Sequence, residues 1–262
     1  MQRNVLQEHI FSTYLTLRYG IILIGALLPV VVWAVGKTHD VPLQDSISAY
    51  YWAAPSGQRE APSRNWFVGG LFAVAAFLYL YKGFSKAENI SLNLAAILAV
   101  GVAVFPTEWG CGEACKRYTL HGFCAVLMFA CLVYVVWFRA RDTLSLVPDN
   151  ATPSPAAYRR MYRIVGGVML ASPLTAFILN SVIGTESSYV FFIEAAGIWA
   201  FALYWVLKSS ELKKSAATAK ALDAEIETQP GRKTGPLTHQ PLSPVEEPGL
   251  ERAKTRGGNL KG

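Results

Sequence analysis

The chain has 262 residues, 52% hydrophobic and 12% aromatic but only 16% charged, where a soluble domain carries about a quarter charged residues. Its net charge of +6 does not point to nucleic acid, because Lys and Arg sit at the ends of apolar runs and in the C-terminal tail rather than in a basic groove or an aromatic-interleaved motif. A soluble globular domain and a nucleic-acid binder are therefore set aside in favour of a membrane protein.

Helical crossing of the hydrocarbon takes about 17 to 25 apolar residues, and runs of this kind recur through residues 1–208. Six spans are predicted, over residues 19–35, 66–82, 90–105, 118–138, 164–183 and 189–207. The expected fold is all-α: a polytopic six-helix transmembrane bundle over 1–208 with the lipid bilayer as its surroundings. The first span has an apolar core longer than the roughly 7 to 15 residues of a signal peptide, so it reads as an uncleaved anchor. Pro29 and Pro173 fall inside spans, where neighbouring helices can satisfy the freed carbonyls. In the third span Ser91, Ala95, Ala99 and Ala103 recur every four residues, a small-residue stripe suited to close helix packing. Residues 209–262 contain no Phe, Tyr or Trp. A short helix can extend the last span through "ELKKSAATAKALDAEIE", and the remainder is expected to be a largely disordered tail.

With the N-terminus inside, the inside segments as far as Lys214 hold 12 Lys and Arg, Arg18 and Lys208 among them, and the outside segments 5. The positive-inside rule then places both termini in the cytoplasm. The expected location is a bacterial inner membrane.

Under that topology "QDSISAYYWAAPSGQREAPSRNWFVGG", residues 44–70, is the first outer loop running into the second span. Ser46, Ser48 and Tyr50 bring hydroxyls to the interface, and Arg64 and Asn65 begin the second span. His121 lies one turn into the fourth span, and Glu194 five residues into the sixth. An ionisable residue inside a span must be paired, protonated or wetted. Glu194 thus reads either as the lining of an outward-open pocket or as half of a structural clamp with Arg64. His121 is followed on one face by Cys124, Met128 and Cys131, but two ligands do not make a metal site. No metal or cofactor is expected. Cys111 and Cys115, spaced C-x3-C, are disulfide candidates if their loop faces an oxidising compartment. A Ser48–His121–Glu194 triad can be written, without any nucleophile-elbow motif to support it.

The motifs Ser-Ile-Ser-x-Tyr-Tyr, Arg-x-x-Phe-Val-Gly, Tyr-Lys-Gly and the Glu of "FFIEAAGIWAF" together resemble an uncharacterised family of bacterial multi-pass membrane proteins, from about Asp45 to Lys208. The resemblance implies six helices and an inner membrane, and no particular activity. More remotely, Ser, Asp and His near one membrane face resemble the superfamily of alkaline ceramidases and adiponectin-type receptors, which implies zinc-dependent amide hydrolysis on seven spans. Only Ser48 and His121 carry over. Trp52 and Asn65 stand where His and Asp are expected, and the last span has no His-x3-His. The expected function is binding, sensing or handling a small or lipid-like ligand at an outward-facing pocket. A membrane-embedded lipid or amide hydrolase and a structural subunit without ligand are the alternatives.

Overall fold

A computed structural model of the protein describes residues 2–108, 119–182 and 188–215, and within them the chain is helical and forms no strand. Its α-helices are α1 (Gln2–Thr38), α2 (Arg64–Leu80), α3 (Lys86–Val104), α4 (Leu120–Tyr134), α5 (Pro155–Val182) and α6 (Tyr189–Ser215). Among the described residues, four stretches are long and apolar enough to cross a membrane: Ser12–Thr38, Lys86–Val104, Leu120–Leu146 and Tyr189–Ser215. The 17 residues of α2 are apolar but shorter. The first turns of α5 carry Arg159, Arg160 and Arg163.

Apolar side chains cover the outside of the bundle as well as filling its core. Large apolar side chains such as Leu23, Phe72, Tyr79, Ile97, Phe123, Ile178, Phe192 and Leu203 face outward, while Ala95, Ala99, Ala103, Ala195 and Ala200 are buried. An apolar belt suits lipid tails outside, and the small residues among the buried ones allow close van der Waals packing between helices. The expected α3 stripe is part of that interior from Ala95 onward.

Each helix packs on its neighbours in sequence, and α6 also packs on α1, which closes the bundle. Helices α1, α3 and α5 run from the end where α6 finishes, here the proximal end, to the distal end, and α2, α4 and α6 return. At the distal end α1 stops through Asp40, which holds a φ of 58°, while the N–H groups of His39 and Val41 both return to the Gly36 carbonyl at 3.0 Å. A short acidic side chain tolerates this left-handed cap. At the proximal end α3 starts with a capping exchange: Ser85 accepts the Glu88 N–H at 3.2 Å, and the Glu88 carboxylate accepts the Phe84 N–H at 2.8 Å. Helix α4 does not end at Tyr134. It widens into a π turn over Val135–Arg139 and tightens into a 3-10 turn over Ala140–Leu146. That change of pitch matters below, because it carries Ala140 and Thr143 into the proximal core.

Candidate functional site

At the distal end the 39–63 connection folds over the bundle. A 3-10 turn, Ser48–Tyr51, drops Tyr50 into the core, where its ring meets Phe191 edge-on at 6.0 Å and covers Gly36. A Cβ on Gly36 would lie 2.7 Å from that ring, so the close approach requires glycine. Burial pushes the Tyr50 phenol above its ordinary value. Ser63, fully buried, donates to the Val32 carbonyl at 2.7 Å and fastens the start of α2 to α1.

The expected site residues lie at this end but do not form one constellation. Glu194 accepts the Ile47 N–H at 2.7 Å and so caps the 3-10 turn. Arg64 donates from Nε to the Tyr51 carbonyl at 2.7 Å, and its guanidinium lies 4.8 Å and 5.4 Å from the ring centres of Tyr51 and Trp52. No ion pair joins Arg64 to Glu194 among the described residues, so the expected clamp is not formed. The loop offers the carboxylate a backbone donor and the guanidinium a carbonyl with two aromatic faces, which satisfies each without the other. Asn65 is exposed, and Ser48 shares a 3.1 Å hydrogen bond with Ser46, whose hydroxyl accepts the Ala49 N–H.

His121 has an equally local task. Its Nδ1 donates to the carbonyls of Phe105, at 2.9 Å, and Val102, at 3.1 Å. In a continuing helix the Val102 carbonyl would take the N–H of residue 106, but Pro106 has none. The imidazole of α4 supplies the missing donor at the end of α3. The Ser48, His121 and Glu194 side chains therefore bond to three different partners, and the triad that can be written in sequence is not assembled. Cys124 is a buried free thiol, and Cys131 a half-buried one. Cys111 and Cys115 lie outside the described residues.

The proximal end holds the densest buried polar group among the described residues, and the sequence reading passed over it. Lys208 and Glu211 of α6 form an ion pair at 3.1 Å with side chains 1% and 0% exposed. Lys208 Nζ also donates to the Ala140 carbonyl at 2.9 Å and to Thr143 at 2.6 Å. The two Glu211 oxygens accept very short hydrogen bonds, one from the Thr143 hydroxyl and the other from the Tyr162 hydroxyl. The 3-10 turn that follows α4 thus provides a carbonyl and a hydroxyl, α5 a phenol, and α6 both charges. Beside this knot Arg18, Tyr81, Tyr204, Trp205 and Ser209 are also buried.

A signal for this centre was present. Gly197, Ala200, Tyr204, Lys208, Glu211 and Ser215 recur at three- and four-residue steps, and all six are buried. In α5 the buried residues Tyr158, Tyr162, Val165, Met169 and Ser172 follow the same rhythm, with Arg159, Arg160 and Arg163 turned outward. The inward face of each helix continues past the end of its apolar run. Counting Lys208 and Arg18 only as orienting charges hid this. Comparison with family models, with curated proteins and with solved structures finds no match for this chain.

Proposed function

We propose that this chain is a six-span membrane protein that binds a small or lipid-like ligand in the polar centre at its proximal end. One observation carries the reading: Arg18 is 1% exposed, and although Tyr81 lies against its guanidinium, 5.5 Å away at the ring centre, no carboxylate forms an ion pair with it among the described residues. A buried charge is normally paired and hydrogen-bonded, so a guanidinium held this way inside a bundle suits a partner that arrives from outside the chain. The distal residues support the ligand reading less well, since Glu194, His121 and Arg64 already serve the backbone around them.

In this proposal α2 and α5 cross the membrane alongside the four longer apolar stretches, as the resemblance to a six-helix bacterial family also implies. The exposed Lys82, Lys86, Arg141, Arg159, Arg160, Arg163, Lys213 and Lys214 belong to the proximal end, which favours placing it, with both termini, on the cytoplasmic side of a bacterial inner membrane. A reporter fused after Ser215 should behave as cytoplasmic, and an exported signal would overturn that orientation. For the ligand, native mass spectrometry of gently extracted protein should show a bound species on the parent chain that is absent from Arg18→Gln. A bare parent, or the same species on both proteins, would refute the binding centre. A structural subunit without ligand is then the better reading, and the saturated Lys208–Glu211 knot favours it.

A further inference from the structure

The outward side of the α5–α6 seam is grooved. On α5, Ala157, Met161, Ile164, Val168, Ala171 and Thr175 follow one another at three- and four-residue steps and so share one face. Two depressions lie along it. The proximal one, about 440 Å³, is bordered by Ser154, Arg160, Met161 and Ile164. The distal one, about 210 Å³, lies between Val168, Ala171 and Thr175 of α5 and Ile193 and Ala196 of α6. Small side chains open this second slot. Ala171 and Ala196 are exposed and end at Cβ, and Ser172 turns inward to donate to the Ile193 carbonyl at 2.7 Å.

Charge at the proximal mouth is of one sign. Arg159 and Arg160 are exposed and form no ion pair among the described residues. Lys214 of α6 stands at the same mouth, held to the Thr152 carbonyl and 5.8 Å from the Tyr158 ring centre. Helix α5 has no Asp or Glu, and Glu194 and Glu211 of α6 are hydrogen-bonded within the bundle.

The spacing matches a phospholipid. At about 1.5 Å per residue, Val168 lies about 12 Å along α5 from Arg160, and Thr175 about 22 Å. The hydrocarbon of one leaflet is about 15 Å deep, half of a core about 30 Å thick. A lipid whose phosphate meets Arg160 therefore lays its chain over Ile164 and ends it in the slot. A basic mouth favours an anionic headgroup, and an apolar slot favours a long chain. Free phosphate would leave the slot empty. A peptide segment would bring backbone groups that the slot cannot satisfy.

Taking α5 as a membrane-crossing helix, as proposed above, we infer that the α5–α6 groove is a selective site for one anionic phospholipid of the proximal leaflet. Arg160 meets its phosphate, and Val168, Ala171, Ile193 and Ala196 surround its acyl chain. The site is separate from the buried centre at Arg18.

The test uses the full chain in a maltoside detergent at constant ionic strength, read by thermal unfolding and native mass spectrometry. Dioleoyl-phosphatidylglycerol is titrated against dioleoyl-phosphatidylcholine and against dihexanoyl-phosphatidylglycerol, whose chains are too short to reach the slot. Saturating stabilisation and one retained adduct are expected with the first lipid, at about tenfold higher affinity than with either of the others. Arg160→Gln should weaken that binding about tenfold, since a charge-assisted contact is lost. Ala196→Leu fills the slot and should also weaken it about tenfold, by displacing about two methylenes. Both residues are exposed, so neither change disturbs the core. The Lys82→Gln, Lys86→Gln double variant alters the α2–α3 connection instead and should bind within about twofold of the parent.

The groove is refuted if the two dioleoyl lipids bind equally, or if affinity is undiminished in either groove variant. An equal loss in the Lys82, Lys86 variant would also refute it, in favour of diffuse attraction to the basic end. A dimer abolished by Ala196→Leu would put a second copy of the chain in the groove and exclude the lipid. A phosphatidylglycerol adduct lost in Arg18→Gln but kept in both groove variants would refute the groove and support the buried centre. The converse pattern supports the groove whatever the fate of that centre.

Discussion

At the distal end Glu194, His121 and Arg64 bond to main-chain groups of the loop and of neighbouring helix ends; at the proximal end Lys208, Glu211, Thr143 and Tyr162 bond mainly to one another. Glu194 holds Ile47, His121 holds Val102 and Phe105, and Arg64 holds Tyr51, each an isolated tie. Lys208, Glu211, Thr143 and Tyr162 share partners, so no member can be removed without disturbing the rest. Isolated ties should behave additively and can be replaced one by one. A shared network in a low-dielectric interior should not, because each deletion leaves other groups unsatisfied.

The largest test of that contrast is in the proximal knot. Lys208→Met or Glu211→Leu alone should each cost about 3 to 5 kcal/mol, since either leaves a buried charge without its partner. The double variant should be more stable than either single one, measured by denaturation in mild detergent. Simple addition of the two losses would show that the knot is not a network. Next in size is Glu194→Leu, which strips the Ile47 N–H of its acceptor and should cost about 1 to 3 kcal/mol. Glu194→Gln keeps an acceptor there and should cost clearly less. His121→Leu leaves the Val102 carbonyl unpaired above Pro106, and a loss of about 1 to 2 kcal/mol is expected. Smallest is the coupling between Arg64→Gln and Glu194→Gln. Their effects should add to within about 0.5 kcal/mol, and a larger coupling energy would reinstate the clamp that the sequence suggested.

The sequence carried the helical character and the four long apolar stretches because hydrocarbon thickness sets a length that composition reveals directly. It also located the polar residues of the distal end, since a lone Glu in "YVFFIEAAGIWAF" stands out against its surroundings. It could not assign their partners. Backbone groups are the same at every position, and a side chain that ends on a carbonyl or an N–H leaves no mark in its partner's identity. Arg64 and Glu194 looked like a pair because opposite charges are the only partners that sequence makes visible. The proximal centre escaped notice for a related reason. Lys208, Glu211, Lys213 and Lys214 are adjacent in the chain, and only helical phase separates the first two, buried, from the last two, exposed. The widening of α4 after Tyr134, which delivers Thr143, has no evident signature in "VVWFRARDTLSL".

The contact between α1 and α6 has a consequence in time. Arg18 enters the membrane on the first helix, while Trp205 and Ser209 follow on the last, after four intervening helices. An arginine at that depth is costly in lipid until a polar environment reaches it, and a contact this distant in sequence forms late. Closure of the bundle is therefore expected as its last step. A nascent chain halted before α6 would hold Arg18 against Tyr81 of α2, without the last helix that completes its burial.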